Sequence, residues 1–152
     1  MDELRLERDV LIEAPIERVW TLITQPEHLG TWFSDDGADV DLRPGGDMEL
    51  RWKEYGAYKG RVERIDEPSA FFVRWQAFEA ELEDGELTER NSTLVEFHLA
   101  TEDDGTRVRV VESGFASLAG TPEERRKRLE GNIEGWEQEL GELAAYAARV
   151  AA

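Results

Sequence analysis

The chain contains no cysteine, which excludes disulfides, thiol nucleophiles and thiolate metal sites. Histidine occurs only at His28 and His98, and two distant imidazoles have no metal-ligand spacing. Neither a metal nor a cofactor is therefore expected. No apolar run approaches the ~20 residues of a membrane-spanning helix. The charged start, Met1 to Glu7, lacks the apolar segment of a signal peptide, so a cytoplasmic protein is expected. Basic residues are scarce: 18 Lys and Arg stand against 35 Asp and Glu, a formal net charge of −17. Such a surface repels nucleic acid and anionic membranes, and neither is expected as a partner. A nucleophile elbow, a phosphate loop and a dinucleotide fingerprint are all missing. The acidic stretch Asp35-Asp36-Gly37-Ala38-Asp39 lacks the calcium-loop pattern and reads as a solvated loop. There is no internal repeat, linker or low-complexity block, and 152 residues suit one domain over 1–152.

What is present is a regular alternation of apolar and polar residues. Leu4 to Ile12 alternates as a half-buried strand. Ala14-Pro15 opens a helix whose apolar face is Ile16, Val19, Trp20 and Ile23. Thr24-Gln25-Pro26-Glu27 carries a capping-box pattern and starts a short second helix through Trp32. Strands follow at Ala38 to Leu42, Met48 to Trp52, Tyr58 to Val62, Phe71 to Ala77, Thr93 to Leu99 and Thr106 to Ser113. Pro44-Gly45-Gly46 and Glu67-Pro68 read as turns, and Asp84-Gly85 and Asp104-Gly105 as hairpin tips. Successive hairpins imply antiparallel pairing with one wet face. Thr121-Pro122-Glu123-Glu124 then stacks an N-cap, a first-turn Pro and a capping-box Glu. Leu129, Ile133, Trp136, Leu140, Leu143, Ala147 and Val150 continue as one apolar stripe. The helix they imply is about 40 Å long. A long amphipathic helix and an antiparallel sheet must bury their faces on each other.

The string Ala14-Pro15-Ile16-Glu17-Arg18-Val19-Trp20 is followed by Pro26-Glu27-His28-Leu29, Trp32-Phe33, Pro44-Gly45-Gly46, Glu112-Ser113-Gly114-Phe115 and Gly135-Trp136. In this order the motifs resemble the activator of heat-shock protein 90 ATPase homologue-like family, within the START-like superfamily. The resemblance spans nearly the whole chain. It implies an α+β helix-grip fold: a curved antiparallel sheet of six to seven strands around a long C-terminal helix, with two short helices after the first strand. It also implies a cavity between sheet and helix. Relatives with this fold include lipid carriers, hormone receptors, polyketide cyclases and antibiotic self-resistance proteins.

Several residues are candidates for work in such a cavity. Trp52, Tyr58, Phe71, Trp75, Phe97 and Trp136 fall on inward-facing positions. They read either as close-packed core or as walls of an apolar site. Trp32-Phe33, at the end of the short helix, reads as a plug or as a rim contact. Gly131, Gly135 and Gly141 interrupt the long helix, each costing about 1 kcal/mol relative to Ala. They suggest a bend, close packing or space left open. Glu112 shares the inward face of its strand with Val108 and Val110, so its carboxylate must be paired, hydrogen-bonded or protonated. Arg8 breaks the first strand's alternation in the same way, and an inward Arg8–Glu112 pair is expected, either as a structural tie or as a polar anchor. His98 is expected at the surface. His28 is expected beside the cavity mouth, as a gate or base or as a capping residue. The basic run Arg125-Arg126-Lys127-Arg128 neutralises itself through glutamates four residues away, or offers a docking patch.

Three functions fit these residues. One is binding of a small apolar or amphiphilic molecule against Trp32, Trp52, Tyr58, Phe71, Trp75, Phe97, Glu112 and Trp136. A second is a cyclase- or hydrolase-type enzyme in which Glu112 moves protons. A third, implied by the family resemblance, is co-chaperone-like regulation of a heat-shock protein 90 ATPase through a protein partner. Exposed sheet edges leave both monomer and homodimer open.

Overall fold

A computed structural model describes residues 4–150. The ends of the domain read over 1–152, and the start of the charged Met1–Glu7 segment, lie outside the described residues. The elements run β1 (Leu6–Ile12), α1 (Ile16–Thr24), α2 (Pro26–Trp32), β2 (Ala38–Val40), β3 (Asp47–Trp52), β4 (Gly56–Asp66) and β5 (Ala70–Gln76). The chain then forms β6 (Ser92–Glu102), β7 (Gly105–Ser113), a short 3-10 turn at Phe115–Ser117, and α3 (Pro122–Val150). Among the described residues, the seven strands make one antiparallel sheet in the order β1-β7-β6-β5-β4-β3-β2. This is the expected helix-grip architecture.

Strand order explains the helix pair. β1 and β2 are consecutive in sequence yet form opposite edges of the sheet. Six inter-strand gaps separate them, about 29 Å at ~4.8 Å per gap. α1 and α2 carry the chain over the inner face to bridge that distance. They bury Val19, Trp20, Leu22, Ile23, Leu29 and Trp32 against it as they go. The sheet bends at a bulge where β4 and β5 shift register between Val62 and Arg64. α3 then lies along β1 and over the concave face.

Local signals hold with small shifts. The Thr24 capping box does not form: Thr24 is buried and its hydroxyl donates back to the carbonyl of Trp20, and Gln25 is the N-cap of α2. The expected Asp104-Gly105 tip is one residue earlier, a two-residue turn at Asp103-Asp104. Gly105 belongs to β7, where an added Cβ would lie 2.5 Å from the carbonyl oxygen of Ile12. Gly46 is similarly confined, 2.0 Å from the oxygen of Asp41. The Asp84-Gly85 tip closes a single bridge between Glu83 and Glu86, inside a long connection from β5 to β6. The Thr121 capping box is complete in both directions. The Thr121 N–H donates to Glu124 at 2.7 Å, and the Glu124 N–H donates to the Thr121 hydroxyl at 3.1 Å. Arg125 and Arg128 do not serve mainly as partners of nearby glutamates. They donate to the carbonyls of Leu118 and Phe78, tying the start of α3 to its neighbouring loops.

Thr121→Ala removes one half of this box. It is expected to cost about 1 kcal/mol, or roughly 2–4 °C in Tm for a domain of this size. A thermal melt checks it.

Candidate functional site

Burial along α3 is uneven, and the unevenness makes the site. Its second half inserts Leu140, Leu143, Tyr146 and Ala147 fully into the core beside α1 and α2. In its first half, Leu129 and Ile133 are only half-buried. Two of the helix glycines fall here. A Cβ on Gly131 or Gly135 would meet no heavy atom within 4 Å. Both line a cavity of about 470 Å³ between α3 and the sheet. Gly141 is also uncrowded but lies on the exposed side of the helix, away from the cavity.

The walls are aromatic. Trp75 stacks on Trp136 with ring centroids 5.8 Å apart, and Phe33 stacks on both, at 5.2 and 5.7 Å. Trp52 meets Phe33 edge-on at 5.8 Å and Tyr58 at the same distance. Tyr58 stacks on Phe78, which meets Tyr55 at 5.0 Å. These rings form a continuous chain from the buried end of the cavity to its rim. There Tyr55 is 54% exposed and Phe78 47%.

At the buried end sits Glu112, from β7, 1% exposed. Its Oε2 accepts from Thr93 Oγ1 at 2.6 Å, and its Oε1 accepts from Trp136 Nε1 at 2.9 Å. Asn132 Nδ2 donates to both oxygens at 3.1 Å. A carboxylate offers about four acceptor positions, and these contacts occupy them. Burial pushes the Glu112 carboxyl above its ordinary range, opposed by the donors from Thr93, Trp136, Asn132 and Trp75. The second carboxyl on the wall is Glu139, one turn beyond Trp136. Its Oε1 is buried and has no hydrogen-bond partner among the described residues. Burial, with repulsion from Glu142, pushes its pKa up to about 7.

A family model, described as Activator of Hsp90 ATPase homolog 1-like protein, matches residues 13–148. The chain belongs to that family. Its fold resembles solved structures of Mesorhizobium loti protein MLL2253 (TM-score 0.75, 19% identity, covering 95% of this chain and 97% of that one) and Nitrosomonas europaea protein NE0264 (TM-score 0.73, 21% identity, covering 98% and 97%). It also resembles DynU16, a protein from the dynemicin biosynthetic locus, at TM-score 0.74 and 18% identity. That match covers 96% of this chain but 47% of DynU16. At these identities the likeness is one of fold. No curated protein matches the chain.

In this member of the Activator of Hsp90 ATPase homolog 1-like family, the cavity gathers Trp52, Tyr58, Trp75, Glu112 and Trp136 from the sequence-based set. Trp32, Phe71 and Phe97 do not line it. Trp32 turns into the core and donates its indole N–H to the carbonyl of Leu22 at 2.8 Å. Phe71 and Phe97 stack on each other behind Trp136, 1% and 2% exposed. The expected Arg8–Glu112 pair is absent. Arg8 opposes Val110 in the ladder and so shares the inner face, but β1 is an edge strand, and its guanidinium reaches Glu137 at 3.0 Å. His28 is not at the cavity mouth. Its Nδ1 meets the Tyr146 hydroxyl at 2.7 Å, locking α2 to the far end of α3. Tyr146 lies seven residues past Glu139, the last α3 residue on the cavity wall, about 10 Å along the helix. His98 is half-buried on the outer face, paired with Glu96 at 2.8 Å.

Sequence reading missed Tyr55, Phe78, Asn132 and Glu139. Asn132 and Glu139 did carry a signal: they stand four before and three after Trp136, on the stripe that reads as apolar. Among the described residues, no group of three His, Asp or Glu side chains is arranged to hold a metal ion. No helix there is long and apolar enough to cross a membrane.

The two carboxyls should respond differently to substitution. Glu112→Leu leaves the buried Thr93 and Trp136 donors without an acceptor, so it is expected to cost about 2 kcal/mol or more in urea unfolding. A loss below ~0.5 kcal/mol would contradict the clamp. Glu139 behaves otherwise. Its proton is held more tightly in the folded state than at the ordinary value of 4.5. Its contribution to stability is therefore present below pH 4.5 and lost as the pH rises through about 7. Glu139→Gln cannot ionise. It is expected to melt higher than the parent at pH 8, with the gap closing by pH 4.

Proposed function

We propose that the chain binds a small apolar or amphiphilic molecule in the cavity between the sheet and α3. The observation that carries this reading is a cavity of about 470 Å³ walled by a continuous chain of aromatic rings. That volume falls in the range of small-molecule sites. The two helix glycines support it, because each gives up about 1 kcal/mol of helix propensity at a position where no neighbour demands a glycine. The family's fold is consistent with such a role.

The same geometry weighs against proton transfer by Glu112. A general base needs a free acceptor site within reach of the proton it takes. The acceptor positions of Glu112 are filled by Thr93, Asn132 and Trp136. Its partners hold it as a clamp, so binding is favoured over an enzyme built on this residue.

Titration with Nile red, a neutral dye, is expected to give saturable energy transfer from tryptophan. Gly135→Leu should abolish that transfer. Its side chain enters open space, and the gain in helix propensity of roughly 1 kcal/mol should hold or raise Tm. Transfer that survives in a well-folded Gly135→Leu variant would place the dye elsewhere and sink the reading.

A further inference from the structure

We propose that the cavity selects ligands bearing a positive charge, an organic ammonium on an apolar body, with Glu139 as the ion partner. This deepens the ligand-binding reading and rests on it. Three observations converge. The first is the charge of the wall. Glu112 and Glu139 line the cavity, and among the described residues no Lys, Arg or His does. Arg128, one turn before Asn132, donates to the carbonyl of the rim residue Phe78 and does not itself line the cavity.

The second is that the two carboxyls are not equivalent. Glu112 has its acceptor positions filled by Thr93, Asn132 and Trp136. Glu139 Oε1 is buried with no donor among the described residues. A buried carboxylate oxygen without a partner is costly to the fold. A ligand that brings a positive charge beside this carboxyl offsets that cost. An anionic ligand would add to it, meeting a second negative charge at short range in a poorly screened site.

The third is the aromatic lining. The faces of Trp, Tyr and Phe rings attract cations, and cages of such rings recognise alkylated ammonium groups. Trp52, Tyr58 and Trp75 on the sheet and Trp136 on α3 line the same cavity as Glu139. The net charge of −17 acts in the same direction, drawing cations toward the protein at low ionic strength.

The test uses one apolar body with three head groups: 1-naphthylmethylammonium, 1-naphthylmethanol and 1-naphthoate, titrated calorimetrically at pH 8. The ammonium is expected to bind about tenfold or more tightly than the alcohol, with the carboxylate weakest. In Glu139→Gln the ammonium-to-alcohol ratio should fall by about fivefold or more, the remainder being what the aromatic rings and the net charge contribute. Equal affinities in the parent protein overturn the charge selectivity, a preference untouched by Glu139→Gln overturns Glu139 as the ion partner, and either leaves the apolar cavity standing. Charge selectivity is likewise overturned if no naphthyl compound binds while Nile red still does. Loss of Nile red transfer as well would remove the ligand-binding reading itself.

Discussion

The Glu112 carboxylate is the contact on which the arrangement of sheet and helix depends. It sits on β7 and takes hydrogen bonds from Thr93 on the neighbouring strand and from Asn132 and Trp136 on α3. Moving a carboxylate from water into a protein interior costs several kcal/mol unless its lone pairs are met. Here they are met by three side chains from two elements, so the group is satisfied only when α3 lies at one height and one rotation over the sheet. Because Asn132 and Trp136 are one turn apart, that single anchor orients the whole first half of the helix. Gly131 and Gly135, adjacent to them, keep the neighbouring surface bare.

The interior is divided accordingly. α1, α2 and the second half of α3 fill one end of the concave face with close-packed side chains. At the other end, large flat rings and the bare helix surface at Gly131 and Gly135 border an open space. A sealed, dry void of 470 Å³ would cost on the order of 10 kcal/mol at ~24 cal/mol per Å³. That is comparable to the entire stability of a domain. The half-exposed rings of Tyr55 and Phe78 at the rim are consistent with a space that opens to solvent instead. Stiff aromatic walls resist the collapse that flexible aliphatic side chains would allow.

Charge is sorted by face. On the outer face, arginines bridge strands: Arg107 holds Asp9 and Glu102, Arg109 holds Glu7, and Arg51 holds Asp39 and Glu49. Exposed pairs of this kind contribute little each, but they consume cations on the side away from the cavity. Among the described residues, the cavity between sheet and α3 keeps two carboxyls, Glu112 fully hydrogen-bonded and Glu139 with one oxygen unpartnered. The acidity visible in composition thus has an interior counterpart that composition does not reveal.

Periodicity and punctuation in the sequence determined the elements. Alternation along each strand, the capping box at Thr121 and the stripe from Leu129 to Val150 are local, and local physics settles them. The inward position of Glu112 was legible for the same reason, since a strand's two faces follow from its period of two. The identity of its partner was not. Arg8 and Glu112 share a face, yet pairing depends on how far an edge-strand side chain lies from the centre of the sheet, and only the tertiary structure decides that. The site divided along the same line. Trp52, Trp75 and Trp136 on one hand, and Phe71 and Phe97 on the other, look alike in sequence because all point inward. Which border a cavity and which are packed behind it depends on where α3 stands off the sheet. Glu139 shows the limit most plainly: its spacing from Trp136 was readable, but its unmet buried oxygen arises only when helix, sheet and rim are assembled around it.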